Sequence, residues 1–291
     1  MFAILFWLVI GLAHAGLAHA APPTAEQTRA IVGRLGQEAD TFERSAHRFI
    51  GTETLRQTQP AGTRVSRGFR GIETLLPEVT HEIVSEFGFV SSDEPGGSLT
   101  EVRSVLTVDG LKWKRGKKDL NALANGIAAQ DAKNRAKTLE GYESHGLRGF
   151  LSDAAQVILL FARGGAEKYE FHYERDATSP MGPSWVFRFQ QIDGDQAFTI
   201  YGGKEPIRQR LKGEVWVSAG DGLPVRVTLF AEHAMEEAQV RDVTSVDYEM
   251  SRWGLLLPSR IDHRQFVDGT LFVVDEFSYG EFKQVVPGKL R

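Results

Sequence analysis

The chain has 291 residues, a formal net charge of −4 and no cysteine. Without cysteine it has no disulfides, no thiolate metal site, no cysteine nucleophile and no lipid-modified N-terminal cysteine. The mildly acidic balance argues against a nucleic-acid partner.

The first twenty residues are predicted to be a secretory signal peptide. Phe2 to Ala13 is an apolar run without charge, and Ala18-His19-Ala20 fits the small-x-small pattern of a signal peptidase site. The run is shorter than the ~20 residues that span a bilayer, which favours cleavage after Ala20. The n-region lacks Lys and Arg, which a start placed too late would explain. The alternative to cleavage is an uncleaved N-terminal anchor. We expect a periplasmic or secreted protein with one mature domain, residues 21–291, and no later transmembrane segment.

Residues 24–49 are predicted to form a helix. Thr24 can cap its N-terminus, with Gln27 as the capping-box partner. Apolar residues at spacings of three and four give the helix one apolar face: Ile31, Leu35, Ala39 and Phe42.

A short β section and a helical insert are predicted to follow. Strands are expected at 50–57, 79–90 and 101–108, with Asp109-Gly110 as a hairpin turn. Asp119 can cap a first insert helix, which extends to about Leu139. A second helix is predicted from about Phe150 to Arg163. It is apolar nearly all round, which is typical of a buried helix, and Gly164-Gly165 ends it.

The remainder of the chain is predicted to be an antiparallel meander. Its strands are expected at 168–175, 184–192, 196–201, 209–218, 224–233, 238–250, 255–267 and 270–285. Asp193-Gly194, Gly202-Gly203, Asp221-Gly222 and Asp268-Gly269 supply turn signals. The predicted fold class is α+β: a large curved antiparallel β-sheet, an incomplete barrel, with the N-terminal helix and the two-helix insert packed on its concave face.

The usual catalytic signatures are absent from the sequence, including Gly-x-Ser-x-Gly, phosphate-binding loops and His-Glu-x-x-His. The most suggestive polar group is Glu170, His172 and Glu174, which share one face of a predicted strand and could form a metal or acid/base site. Period-two alternation with Tyr169 and Phe171 favours a solvated face above an aromatic core face instead. His263, flanked by Asp262 and Arg264, is interpreted as part of a cross-strand polar pair.

A basic run stands out in this acidic chain. It could bind anionic head groups or an acidic partner, with its tryptophan at the interface. A solvated hairpin end is the favoured alternative. The candidate patch consists of Lys112, Trp113, Lys114, Arg115, Lys117 and Lys118.

Apolar residues of the second insert helix and of the sheet could line a cavity between them. A filled core is the default interpretation, because protein interiors are close-packed. The candidate groove residues are Phe150, Val157, Phe161, Trp185, Phe187 and Trp216.

Two segments carry a family resemblance. Residues 213–218 (GEVWVS), followed by Asp221-Gly222-Leu223-Pro224, resemble the habitual hairpin of the periplasmic lipoprotein-carrier and outer-membrane lipoprotein-sorting superfamily, and Gly254 to Pro258 suits its next hairpin. The resemblance covers roughly the last half of the chain. It implies a half-barrel with helices at its mouth, as in uncharacterised secreted bacterial members. Its motifs are structural turns, so no ligand-contacting residue is carried over.

The leading hypothesis is an exported, non-enzymatic binding protein without a cofactor. It would hold an apolar small molecule, such as an acyl chain, or a lipidated peptide in a half-barrel groove. One alternative is a sensor or interaction module that docks an envelope protein partner through the basic run. The other is a metal-dependent hydrolase that uses Glu170, His172 and Glu174.

Overall fold

The computed structural model describes residues 22–65, 73–91, 99–112, 154–194, 198–200, 207–235 and 238–285. The predicted signal peptide and the first insert helix lie outside these residues. So do Phe150, the Gly202-Gly203 turn and the basic run from Trp113 to Lys118.

Helix α1, Ala25–Ser45, begins with the predicted capping box. The Gln27 amide donates to the Thr24 hydroxyl at 3.2 Å, and the Thr24 amide donates to the Gln27 side chain at 2.8 Å. These two bonds satisfy amides that have no partner within the helix. The predicted apolar face is buried: Ile31, Leu35, Ala39 and Phe42. In the described ranges, no helix is both long and apolar enough to cross a bilayer.

Most strands agree closely with the predicted ones. In chain order they are β1 (Phe49–Gln59), β2 (Gly62–Val65), β3 (Glu73–Leu76), β4 (Val79–Ser91), β5 (Leu99–Val108), β6 (Leu111–Lys112), β7 (Tyr169–Ser179), β8 (Gly182–Gln191), β9 (Phe198–Ile200), β10 (Ile207–Gln209), β11 (Lys212–Ser218), β12 (Pro224–Met235), β13 (Ala238–Met250), β14 (Leu256–Val267) and β15 (Thr270–Gln284). Strands β2 and β3 were not expected, and the predicted strand 209–218 is divided between β10 and β11.

Eleven of these strands form one antiparallel sheet in the order β6-β5-β4-β1-β15-β14-β13-β12-β11-β8-β7. Strand β1 pairs with β15, so the first and last strands of the described chain lie side by side in its middle. The sheet is open, with β6 and β7 at its two ends, and several pairings contain a β-bulge, which bends and twists a strand. This open, bulged antiparallel sheet with an N-terminal helix is consistent with the predicted incomplete barrel.

Two of the predicted Asp-Gly turns adopt the left-handed backbone that tight hairpins require. Asp109 and Gly110 have φ values of 49° and 74°, and Asp268 and Gly269 have φ values of 49° and 79°. Each turn fixes the register of the two strands that it joins.

We call the sheet face covered by α1 the inner face, and the opposite side the outer face. The Phe42 ring of α1 meets the rings of Phe89 on β4 and Tyr248 on β13 edge-on, at 5.2 and 6.3 Å between centroids. Helix α1 therefore covers the inner face at the end of the strands where these two residues lie.

The prediction of a second insert helix was wrong for its described part. From Val157 to Phe161 the chain forms a five-residue 3-10 segment, and Gly164 then adopts a left-handed conformation at φ 72°. The Tyr248 hydroxyl accepts a hydrogen bond from the Ile158 amide at 3.1 Å and donates one to the Ala155 carbonyl at 3.0 Å. Because a side chain of the sheet satisfies these backbone groups, the segment packs on the inner face without an α-helical turn.

Candidate functional site

The inner face carries a row of polar side chains across four neighbouring strands. Gln57 of β1 lies opposite Asp275 of β15, which lies opposite His263 of β14. Beside them, Asp242 of β13 lies opposite Gln265 of β14. We call these five residues the polar row. Gln57 and Asp275 have no exposed surface, and His263 is 3% exposed.

Hydrogen bonds run along the whole polar row. Gln57 donates its side-chain amide to Asp275 Oδ1 at 2.6 Å, and the other oxygen of Asp275 lies 2.9 Å from His263 Nδ1. His263 Nε2 lies 3.2 Å from Asp242 Oδ1, which also accepts from the Gln265 amide at 2.9 Å. Both ring nitrogens of His263 thus face carboxylates.

The two carboxylates determine the charge of His263. Burial lowers the pKa of the imidazole, but hydrogen bonds and charges from Asp242 and Asp275 outweigh it and raise that pKa to about 9. At neutral pH the ring is therefore an imidazolium that donates from both nitrogens. A histidine in this state has no free lone pair and does not act as a general base.

A second histidine stands at the end of the polar row. His233 of β12 is buried, and its Nδ1 lies 3.9 Å from Asp242 Oδ2. That distance is beyond hydrogen-bond reach. Within the described part of the chain, this buried nitrogen has no hydrogen-bond partner.

A separate buried ionic cluster lies toward the β5 end of the inner face. Arg103 donates to both oxygens of Glu53, at 2.6 and 2.8 Å, and to Glu101 at 2.7 Å. Burial lowers the pKa of Arg103, but the two carboxylates raise it well above its usual value. Burial, together with the neighbouring Glu53 charge, raises the pKa of Tyr279. Glu101 also accepts from the backbone amide of Gln156, so the cluster ties strands β1 and β5 to the segment before Val157.

Apolar side chains surround the polar row on the inner face. Because alternate residues of a strand face the same side, these apolar side chains lie on the same face as the polar row. In β1, β4 and β15 they are in phase with Gln57 and Asp275, and in β14 they are in phase with His263. We call the following buried residues the apolar wall: Leu55, Ile83, Ile261, Val273 and Phe277. A mostly apolar surface with a few convergent polar groups is the usual composition of a binding site for a small organic ligand.

No family model matches the chain, and no curated protein matches it. The chain is similar to a solved structure, the crystal structure of a LolA superfamily protein from Nitrosomonas europaea. The two sequences are 13% identical, the match covers 89% of this chain and 96% of the other, and the TM-score is 0.34. A likeness at this score decides neither fold nor function.

Three of the predicted groove residues lie in one closely packed cluster. Val157, Phe161 and Phe187 are buried, and the Phe161 ring meets Phe189 and Tyr169 edge-on at 5.3 and 5.5 Å. Their side chains pack between the 3-10 segment and the inner face.

The two predicted groove tryptophans occupy different environments. Trp185 packs against this cluster, and its indole nitrogen is buried without a partner among the described residues. Trp216 instead lies opposite Val186 on the outer face, where the guanidinium groups of Arg175 and Arg226 lie 5.7 and 4.9 Å from its ring centre. Its two neighbours in β11 are inward-facing valines. Because side chains alternate along a strand, Trp216 faces outward, away from the other groove residues.

The predicted metal or acid/base residues of β7 face solvent. His172 pairs with Glu170 at 3.2 Å, and both side chains are more than half exposed. Glu174 bonds instead to Arg188 of β8 at 2.7 Å, and a β-bulge falls at this position. In the described ranges, no three His, Asp or Glu residues are grouped so as to hold a metal ion. Of the basic run, Lys112 ends β6 and is exposed.

The sequence analysis missed most of the polar row. The structure confirms the cross-strand polar pair expected for His263. The other four members, Gln57, Asp242, Gln265 and Asp275, were not identified from the sequence, and neither was the neighbouring His233. A signal for Asp275 exists in the sequence, since it occupies the inward phase of β15 between Val273 and Phe277. A charged residue in the apolar phase of a strand indicates a buried polar partner.

Proposed function

We propose that the protein is an exported, non-enzymatic binding protein that holds an apolar ligand, an acyl chain or a lipidated peptide, on the inner face of its sheet. The observation that carries this proposal is the polar row set within the apolar wall. Helix α1 and the 3-10 segment cover the Phe89 and Tyr248 end of the inner face. The polar row lies further along the same strands, so we assign the ligand to that half.

Stability alone does not require this polar row. Burying an ion pair is often no better for stability than apolar side chains of the same volume. If the inner face served only for packing, apolar residues such as Leu55, Ile83 and Val273 would also occupy the positions of the polar row. Buried polar groups that converge in an otherwise apolar region are typical of binding sites.

The state of His263 supports binding over catalysis. An Asp–His pair suits acid/base chemistry when the second ring nitrogen is left for a substrate or a nucleophile. In this protein Asp242 takes that second nitrogen, and the pKa of about 9 keeps the ring protonated at neutral pH. The imidazolium therefore organises two carboxylates and does not accept a proton.

Fluorescent fatty-acid uptake by the purified full-length protein, with mass spectrometry of lipid co-purified from the native host, tests the proposal. We expect bound acyl species and saturable uptake. Ile83→Trp should reduce uptake several-fold by filling the apolar wall, whereas Val84→Trp, on the outer side of the same strand, should leave it unchanged. Both variants need thermal unfolding curves, because added volume in a packed region costs about 1–3 kcal/mol. A lipid-free spectrum with no uptake by the wild type would refute the proposal.

The export part of the proposal has its own measurement. N-terminal sequencing of the protein recovered from its host should begin at Ala21. A chain that still begins at Met1 would show that the apolar segment is retained as an anchor.

A further inference from the structure

We propose that Asp242 and His233 bind a primary ammonium group carried by the apolar ligand. This inference rests on the proposed function and specifies the ligand chemistry of the same site. It is carried by the unused hydrogen-bonding capacity at one end of the polar row, where the histidine nitrogen is buried without a described partner.

The charges of the polar row leave an excess negative charge at Asp242. Asp275 uses both oxygens, one for Gln57 and one for His263. Asp242 receives two donors on Oδ1, while its Oδ2 faces His233 without bonding to it. One imidazolium thus serves two carboxylates, so a cation beside Asp242 Oδ2 would complete the charge balance.

The neighbouring arginines of β13 and β14 do not supply that cation. The Arg241 guanidinium lies over the Phe266 ring, 4.3 Å from its centre. Arg264 bonds to Asp262 at 2.9 Å. These two residues flank the inward-facing His263 in β14, so their side chains lie on the outer face. Both arginines are turned away from Asp242.

The spacing of the two acceptors suits a single donor atom. His233 Nδ1 and Asp242 Oδ2 are 3.9 Å apart, so one nitrogen at ordinary hydrogen-bond length, about 2.9 Å from each, bridges them. In the tautomer protonated at Nε2, His233 Nδ1 is an acceptor. The bridging group must therefore offer two protons, and the negative charge of Asp242 favours –NH3⁺ over a neutral hydroxyl or a water.

The surroundings provide both entry and an apolar continuation. The Asp242 side chain is 17% exposed, so its carboxylate can be reached from solvent although His233 beside it is buried. Ala231 lies directly opposite Asp242, and Val240 directly opposite His233; both are buried on the inner face. An ammonium group on Asp242 would place its first methylene groups against these two side chains.

Binding of three amphiphiles of equal chain length to the full-length protein tests the assignment. Dodecylammonium should bind about tenfold more tightly than dodecanol or dodecanoate, the difference expected for one charge-assisted hydrogen-bonded contact. Asp242→Asn should abolish this preference by weakening the binding of dodecylammonium. Asp262→Asn, its control on β14, should behave as the wild type. Equal affinities for amine and alcohol in the wild type would overturn the inference.

A second variant and a short probe separate this inference from the proposed function. His233→Phe keeps an aromatic ring but removes the acceptor, so it should also reduce the amine preference. This variant tests the inference independently if Asp242→Asn folds poorly. Butylammonium is too short to report on the apolar wall, and it should still shift the NMR signals of the His233 ring. If dodecanol binds without an amine preference, only the ammonium assignment fails. If butylammonium shifts the NMR signals of His233 while no long-chain probe binds, only the proposal of an apolar ligand is refuted.

Two biological sources share this chemistry, an aminolipid head group and a free amine on a lipidated peptide. Phosphatidylethanolamine should compete with dodecylammonium, whereas phosphatidylcholine, which has no N–H donor, should not. A palmitoylated lysyl peptide should compete only when its amines are not acetylated. Whichever of the two competes identifies the source, and competition by neither would exclude both.

Discussion

His263 Nδ1 lies 2.9 Å from Asp275 Oδ2 across the β14–β15 pairing, and neither side chain is appreciably exposed. With Asp242 on its other nitrogen, the ring is held as a cation between two anions. This arrangement links the stability of the sheet to the protonation of one histidine.

The first prediction concerns stability above neutral pH. The pKa of His263 rises from its ordinary 6.5 to about 9 on folding, so the folded state binds the proton more tightly than the unfolded state. This stabilisation is fully present below pH 6.5 and is lost as the pH rises through 9. Urea unfolding between pH 6 and pH 10 should show a fall on the order of 3 kcal/mol.

Two variants show whether His263 is the source of that fall. His263→Gln should be less stable at neutral pH and should lose most of the dependence between pH 6.5 and pH 9. His172→Gln, which changes an exposed outer-face histidine, should keep the wild-type profile. An unchanged slope in His263→Gln would contradict the assignment.

The second prediction concerns the buried Arg103 cluster. Arg103→Met keeps most of the side-chain volume but removes the positive charge that balances the buried carboxylates of Glu53 and Glu101. The free energy of unfolding should therefore fall by about 3–5 kcal/mol. Arg188→Met removes an ion pair to Glu174 of similar length at an exposed position and should cost less than about 1 kcal/mol. Equal losses, measured by urea unfolding at pH 7, would show that burial does not set the energetics of the cluster.

The third prediction tests how the 3-10 segment is held. Tyr248→Phe removes the hydroxyl that bonds to Ile158 and Ala155 and should destabilise the protein by about 1–3 kcal/mol. Hydrogen exchange at the Ile158 amide should accelerate more than at the strand amides. Tyr173→Phe, which removes an accessible bond to Asp176, is the control and should have a smaller effect. Unchanged exchange at Ile158 would show that Tyr248 does not hold the segment.

The elements that sequence analysis predicted well depend on local chemistry. The capping box at Thr24 and the Asp268-Gly269 turn each involve residues a few positions apart, and the strand period of two is visible within one segment. The polar row depends on register between distant strands. Gln57 and Asp275, for example, are separated by 218 positions. No local pattern shows that these two side chains meet.

Two further errors also arose from tertiary contacts. The apolar run before Gly164 has the composition of a helix, but the Tyr248 hydroxyl bonds to its backbone and a short 3-10 segment results. Trp216 is among the candidate groove residues of the sequence, but it lies on the outer face. Its neighbours Val215 and Val217 face inward, and cation–π contacts to two arginines stabilise it on the outer face.

The last prediction uses two glycines to test the packing of the β8–β11 end of the inner face. At Gly213 of β11, an added Cβ would lie 2.1 Å from the Thr228 carbonyl oxygen and 2.7 Å from the Phe189 ring. A backbone oxygen in a sheet cannot move aside without disturbing the strand pairing, so Gly213→Ala should lower the free energy of unfolding by about 2 kcal/mol or more.

The matched control is Gly33 of α1, where an added Cβ meets nothing within 4 Å. Because alanine is a better helix former than glycine, Gly33→Ala should stabilise the protein by about 0.5–1 kcal/mol. Opposite shifts in the thermal midpoint would identify the close approach of the Thr228 carbonyl oxygen and the Phe189 ring to Gly213 as the cause, since both variants add the same methyl group. A stable Gly213→Ala variant would mean that this end of the sheet has room that the packed aromatic rings do not show.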